Sequence, residues 1–586
     1  MKASKKVLTL FLAAAMVVSA FAGCSKGNDE SSSTANESSQ SSQAGDSSTE
    51  PAGNTGEVTT LDYYISTTAV SGPVTGWLGD YLKENGLALN IIAGSEEKMQ
   101  AYLAGGDLPD LMSFNTWDSV TKAIAGKMLV NLDEHLDKLP NVTANVPEAI
   151  EYTRDNRSNG TGNLYVIPSS IGDSYFPVDT GVYSINVRWD IYEKIGCPKA
   201  ETLEDLIPIF KQMQEAYPET EDGTKTYAMN LFSSWDGTTK MAAVNNVITT
   251  LGYMESFYQY FADLNLETGE INSIFDDDST YLRALKFFYQ LNQEGLLDPD
   301  AITQTYEAAK AKVDSGAYVA IGYAGYKDGF NTPEHVDADE PVGYMPIIFD
   351  EYKACVIGDA TVGSTRNQLG ISAVSSKVDA CLQYINLTAD YDALLTLNNG
   401  PQGELWDIND EGEVYATEKY WDCYNSNGGK LTLSNGEELH PGFTYEYVIA
   451  NTQAHPTYNV PIGIGNWPDV IEGTQKNKLT EAWSDDNDGY MFPIQKMEAE
   501  GRVYKRPLAH TLMETTPDDI ALLQQAIAQI VIQNSWKMAY AKDEAEFNSL
   551  WDDMKTQAEA LDVQEVIDWA TDSWNKGMEI AKQYVE

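Results

Sequence analysis

Basic residues are scarce in this chain. Lys and Arg number 38 against 88 Asp and Glu, a formal net charge of −50 over 586 residues. Neutralising phosphates needs a basic face, so the composition argues against a nucleic-acid partner. Arginine is the scarcer cation, with seven residues at 154, 157, 188, 283, 366, 502 and 506. Anionic ligands are commonly held by bidentate guanidinium clamps, so this shortage favours a neutral ligand. Cysteine is also rare. Cys197, Cys355, Cys381 and Cys423 form no C-x-x-C pair and have no His at metal-ligand spacing. Buried thiols are the simplest reading, with one or two disulfides as the alternative. Histidines 135, 335, 440, 455 and 510 are scattered without an H-E-x-x-H or similar pair, so neither a zinc site nor a cofactor is expected. No G-x-S-x-G nucleophile motif and no fixed-period repeat occur. Long apolar runs are missing too. Beyond the first 23 residues nothing approaches the ~20 apolar residues of a transmembrane helix, so the chain cannot move a solute across a bilayer alone. What remains is 42% hydrophobic and 11% aromatic residues, enough for a large core. The acidity speaks for solubility and does not identify a ligand.

The N-terminus differs from the rest. Lys2, Lys5 and Lys6 precede an uncharged run, Val7 to Ala20, which ends in Phe21-Ala22-Gly23-Cys24. A positive end, a short apolar middle and small exit residues make residues 1–23 a secretory signal. The small-small-Cys ending resembles a bacterial lipobox, with Phe21 where Leu is usual. Cys24 is therefore the expected lipidation site. Residues 25–57 hold ten Ser and no Val, Ile, Leu, Met or aromatic residue, so 24–57 is expected to be a disordered tether. A flexible coil of that length reaches roughly 30 Å. The expected location is the extracellular face of the cell membrane, held by lipid.

From Val58 the pattern becomes α/β. Asp62–Ile65, Leu87–Ile92 and a segment starting at Leu111 read as strands. Pro73–Asn85, Lys98–Ala104 and Asp118–Ala125 read as the helices between them. This alternation predicts a parallel sheet covered by helices, which binds ligands at the C-terminal ends of its strands. Tyr281, Leu285 and Phe288 keep helical spacing. So do Ile520, Leu523, Ile527 and Ile530, behind Thr516 as N-cap and Pro517 at the first helical position. Such stripes are core.

Several segments then carry a family likeness in their order. They are Ala101 to Leu111 (AYLAGGDLPDL), Gly126 to Glu134 (GKMLVNLDE), Gly162 to Pro168 (GNLYVIP) and Tyr183 to Gly196 (YSINVRWDIYEKIG). Gly295 to Asp300 (GLLDPD), Leu369 to Ser372 and Asn399 to Trp406 (NGPQGELW) follow. Each is weak alone; together they span nearly the whole body. The chain resembles the bacterial extracellular solute-binding proteins of family 1, in particular the large lipoprotein branch of Gram-positive bacteria. Two departures stand out. Pro208 lies inside a helix that Thr202 should cap, and Pro401-Gln402 replaces the usual residues before Gly403. The resemblance implies a type II periplasmic-binding-protein-like fold, two α/β lobes joined by a hinge of crossing strands with a ligand cleft between them. Lobe one would comprise 58–175 and 360–400, lobe two 176–359 and 401–586. It also implies an ABC permease pair, a cytoplasmic ATPase acting through it, and a monomeric, non-catalytic receptor.

A sugar presents C–H faces that stack on aromatic rings and hydroxyls that need short polar partners. Strand exits with both are the candidates. Asn115, Trp117 and Asp118 follow the third strand. Trp235 and Asp236 repeat that logic in the second lobe. Tyr323 and Tyr326 follow the strand Tyr318–Ile321 in a Gly-rich exit, and Trp406 and Trp467 lie in Gly-rich loops. Trp189, Trp536, Trp551, Trp569 and Trp574 keep helical patterns and read as core. Asp407 to Gly412 lacks the full spacing of a calcium loop and reads as an acidic turn. A carbohydrate, most simply a neutral oligosaccharide, is the expected ligand. The alternatives are a peptide or another small polar solute on the same fold, a surface sensor or adhesin without a transporter, and a secreted glycoside hydrolase, for which no carboxylate pair stands out.

Overall fold

The computed structural model describes residues 58–584 apart from 69, 174–182, 237–239, 357, 364–366, 427–429 and 440–445. Cys24, the signal segment and the tether therefore lie outside the described residues. Ten strands build the two principal sheets. They are β1 (Thr59–Ile65), β2 (Gly72–Pro73), β3 (Leu87–Ala93), β4 (Leu111–Phe114), β5 (Val166–Ile167), β6 (Tyr183–Arg188), β7 (Tyr227–Ala228), β8 (Tyr318–Tyr323), β9 (Tyr344–Pro346) and β10 (Gln368–Ile371).

The first sheet runs β2-β3-β1-β4-β10-β5 and the second β9-β6-β8-β7. The expected parallel sheet is only its centre. β1 pairs parallel with β3 and β4, while β2, β10 and β5 join antiparallel. The parallel strands are linked by the helices Gly76–Glu84 and Glu96–Gly105. β10 instead returns from the second sheet, and without such a crossover it enters in the opposite sense. In the second sheet β8 is parallel to β7 and antiparallel to β6.

The helix holding Pro208 starts late, as a proline inside it demands, and one other helix start differs from expectation. Pro208 is the third residue of Leu206–Ala216, where its missing N–H is one of the unpaired first-turn groups. Thr202 caps nothing; its backbone N–H and hydroxyl donate to Asp205 in the preceding turn. Helix Asp518–Ala539 begins after Pro517, so the N-cap is Pro517 and not Thr516. Its stripe is core as expected, with Ile520 and Ile527 buried. The four cysteines are free thiols, Cys355 and Cys381 buried. No helix among the described residues is long and apolar enough to cross a membrane.

Two large apolar clusters follow the two sheets. The first packs β1, β3 and β10 against residues that include Leu405, Trp406, Leu433, Ile462 and Trp467. The described residues of 401–470 thus pack with the first lobe, not with the second where the sequence reading placed them. The stretch's own strands, Trp406–Ile408 and Val414–Ala416, pair with each other and join neither principal sheet, so strand order does not reveal its side. Helix Pro468–Gln475 carries the chain across, with Val470 in the first cluster and Ile471 in the second. Between the lobes, Asp359–Ala360 pairs antiparallel with Gly172–Asp173; just before that crossing, within the second lobe, Ala354–Val356 pairs parallel with Val503–Lys505. Gly358 lies so close to the Arg506 backbone that a Cβ would sit 1.8 Å from its carbonyl oxygen. Only glycine fits that approach. A small cluster of Tyr152, Val362, Leu508 and Leu512, joined by Tyr584, packs at the same junction.

Candidate functional site

The C-terminal end of β4 places Asn115 to Asp118 at the mouth of the first lobe. Thr116 caps helix Trp117–Ala125 by accepting the Ser119 N–H at 3.3 Å, which turns Trp117 out at the first helical position. Asn115 is exposed and Trp117 half-buried. Asp118 is exposed but paired with Lys122 at 2.6 Å. The Arg157 guanidinium, from helix Pro147–Arg157, lies 5.0 Å from the Trp117 ring centroid, within cation–π range. Opposite stand Ser256, Phe257, Gln259 and Tyr260 of the second lobe and the segment His510–Thr516. Together these residues enclose a cavity of about 440 Å³. This volume is in the range of sites for small organic ligands. Two of its acidic residues are neutralised by partners, Asp118 by Lys122 and Glu514 by Lys576 at 2.9 Å.

The second lobe offers a second aromatic station. Trp235 is 41% exposed, the one exposed large aromatic besides Tyr415 among the described residues. Its ring stacks on Tyr306 (4.8 Å, 20°) and stands edge-on to Phe232 and Tyr323 at 5.1 Å. Tyr323 ends β8, and Asn246 and Tyr183 complete the recess. A Cβ on Gly322 would come within 2.4 Å of the Asn246 Cβ, so glycine there lets β8 pack directly against Asn246.

Tyr183 joins this recess to a charged group at the hinge. Arg506 is ion-paired with Glu255, and the Lys240 ammonium donates to the Glu255 carbonyl. Burial pushes the Lys240 amine down to about 8, with Arg506 lowering it further and Glu255 opposing. Burial likewise lowers the imidazole of His510, which lines the 440 Å³ cavity. In the first lobe Glu446 fastens the strand exits. It accepts the Thr67 hydroxyl at 2.7 Å and the Ser113 hydroxyl on its other oxygen. Burial raises its pKa against those two hydrogen bonds.

Several candidates from the sequence are not available to a ligand here. Trp406 and Trp467 are 3% and 1% exposed, and their indoles donate to the Gly400 and Pro461 carbonyls at 2.8 and 2.7 Å. A Gly-rich loop marked them, but tertiary packing of residues 401–470 on the first lobe buries them. Tyr326 is buried and donates to the Tyr306 carbonyl at 2.7 Å. Asp236 is buried with both oxygens engaged, one by the Ala242 N–H at 2.9 Å and the other by the Trp536 indole. It builds the loop that presents Trp235. Asn115, Trp117, Trp235 and Tyr323 do line the two recesses. Missed were Tyr306, Arg157, Tyr260 and Glu446. Each sits within a helix, turn or loop that carries no strand-exit signal, so nothing in the local sequence singles it out. The Asp407–Gly412 stretch is a hairpin turn closed by the Asn409 side chain. No group of three or more His, Cys, Asp or Glu able to hold a metal ion occurs among the described residues.

No protein-family model and no curated protein matches the chain. Solved structures do. An HMO-binding ABC-transporter-associated solute-binding protein from Bifidobacterium longum infantis aligns with TM-score 0.57 at 18% identity, over 90% of this chain and 99% of its own. The Streptococcus pneumoniae ABC-transporter substrate-binding protein FusA, as an EF-hand mutant in complex with fructo-nystose, aligns with TM-score 0.55 at 14% identity, over 89% and 100%. The alginate-binding protein AlgQ2 aligns with TM-score 0.52 at 14% identity, over 89% and 99%. At these identities the likeness is one of fold. The chain has the two-lobed α/β fold of these solute-binding proteins over nearly its full body.

Proposed function

We propose that this protein is the extracytoplasmic, non-catalytic receptor of an ABC importer. It is anchored through lipid on Cys24, binds an oligosaccharide between its lobes and delivers it to a membrane permease. The observation that carries the reading is the exposed Trp235 stacked on Tyr306 in the second lobe, together with the half-buried Trp117 in the 440 Å³ cavity. An indole left in water on a platform of other rings is a surface for the apolar face of a sugar. Asn115, Gln259, Thr511, Thr515 and Thr516 supply the short donors and acceptors that hydroxyls need. The solute-binding fold fits lobe closure around such a ligand. The similar proteins are named for HMO and alginate binding, and one is bound to fructo-nystose, which supports a carbohydrate.

Thermal shift of the purified protein against neutral oligosaccharides, acidic oligosaccharides, monosaccharides and peptides tests it. A ligand at 100 times its Kd adds about 2.7 kcal/mol of stability. Stabilisation by oligosaccharides is the expected result. Stabilisation by peptides alone keeps the fold and overturns the sugar. Catalytic turnover of a glycoside overturns the receptor reading.

A further inference from the structure

Six of the seven arginines are described, and five of them hold a carboxylate. Arg154 pairs with Asp133, Arg188 with Asp190, Arg283 with Glu204 and Glu351, Arg502 with Glu500, and Arg506 with Glu255. Arg157 is the exception. Its Nε donates to the Tyr152 hydroxyl at 2.9 Å, and Nη2 reaches the Thr511 and Met513 carbonyls only at 3.4 Å. All three acceptors are neutral, and its guanidinium carbon lies over the Trp117 ring. In a chain with 88 acids, a guanidinium without a carboxylate is conspicuous. The nearby acids are committed elsewhere: Asp118 to Lys122, Glu514 to Lys576, while Asp155 accepts the Tyr584 hydroxyl at 3.2 Å. Arg157 is also the one Lys or Arg among the residues lining the 440 Å³ cavity.

We propose that Arg157 is a specificity-determining residue, and that the cavity takes an oligosaccharide bearing a carboxylate, which Arg157 binds while an adjacent ring of the ligand lies against Trp117. The proposal rests on the carbohydrate reading above and departs from the neutral ligand expected from arginine scarcity. A planar guanidinium matches a carboxylate in two parallel hydrogen bonds. The ring beneath Arg157 and the Tyr152 hydroxyl hold the guanidinium in place, so little side-chain freedom is lost on binding. Nη1, with no hydrogen bond to the described residues, is free for the ligand.

The test is calorimetric titration of the purified protein with matched oligosaccharides of equal length, one neutral, one bearing a uronic or sialic carboxylate and one sulfated. The wild type is expected to bind the carboxylated member at least about tenfold tighter than the neutral one. That advantage shrinks as salt is raised from about 50 to about 500 mM. R157Q brings the acidic-to-neutral affinity ratio to about one, and R157K, which keeps charge but not the planar fork, retains part of it. A sulfated member that binds as tightly as the carboxylated one replaces the carboxylate with a tetrahedral anion and overturns the planar-fork assignment. Equal binding of neutral and carboxylated members by the wild type, or an advantage that survives R157Q, refutes the role of Arg157 and leaves the carbohydrate reading intact. Failure of every oligosaccharide to bind refutes that reading and this proposal together.

Discussion

Trp235→Ala separates a ligand platform from a packing residue. The residue is 41% exposed. For a side chain that offers up to about 250 Å², this leaves roughly 100 Å² in water. Covering that area with the apolar face of a sugar is worth about 2.5 kcal/mol at ~25 cal/mol per Å². The expected loss is therefore roughly 60-fold in Kd. Because the ring already rests on Tyr306 and Phe232, its removal also costs the fold about 1–2 kcal/mol in aromatic contacts. Titration calorimetry well below the unfolding midpoint, with the oligosaccharide that gives the largest thermal shift, reads the binding loss separately. Trp235→Phe should recover part of it, since a smaller ring still stacks. A Kd for Trp235→Ala within about threefold of wild type would refute the platform, because the area argument allows no such small effect if the ring is covered.

Trp467→Ala is expected to behave in the opposite way. It empties a site that is 1% exposed and leaves the Pro461 carbonyl without its indole partner. Unfolding should become about 3–5 kcal/mol easier, with the affinity of the folded fraction little changed. Gly322→Ala should destabilise by about 1–3 kcal/mol by forcing β8 off Asn246, and chemical denaturation measures it. Acid should stabilise this protein at first. Burial pushes the Asp236 carboxyl up to about 6 and that of Asp263 up to about 7. Both bind protons more tightly folded than unfolded, so their contribution is fully present below the ordinary carboxylate range and is lost as pH rises through about 6 to 7. The unfolding midpoint should thus be higher at about pH 5 than at about pH 7.5, and Asp263→Asn should flatten that slope. Below about pH 4 the sign reverses, as Asp133 and Glu204, held down by arginines, begin to protonate. A midpoint that climbs steadily from pH 5 to 7.5 would contradict the buried carboxyl assignments.

Much of the first lobe is legible in the chain. β1, β3 and β4 and the intervening helices show the alternation and punctuation from which they were read, because a buried strand or an amphipathic helix writes its period locally. The strand exit Asn115-Thr116-Trp117 is legible for the same reason. A capping Thr and a Trp directly after an apolar run can be placed without knowing the partner. Trp235 is legible by the same logic, but Asp236 beside it is not. Adjacent polar residues look alike in sequence, and only the arrival of the Trp536 indole from 300 residues away turns one into a buried anchor.

Local chemistry therefore determined the element types of the body, the core stripes and which strand exits carry aromatic and polar side chains together. Tertiary structure alone decided that the described residues of 401–470 pack on the first lobe and bury Trp406 and Trp467. It also decided that Tyr306 stacks beneath Trp235, and that one arginine of six meets no carboxylate. The physical reason is range. Backbone preference and hydrophobic period act over a few neighbours, whereas burial and pairing of a side chain depend on contacts made across hundreds of residues.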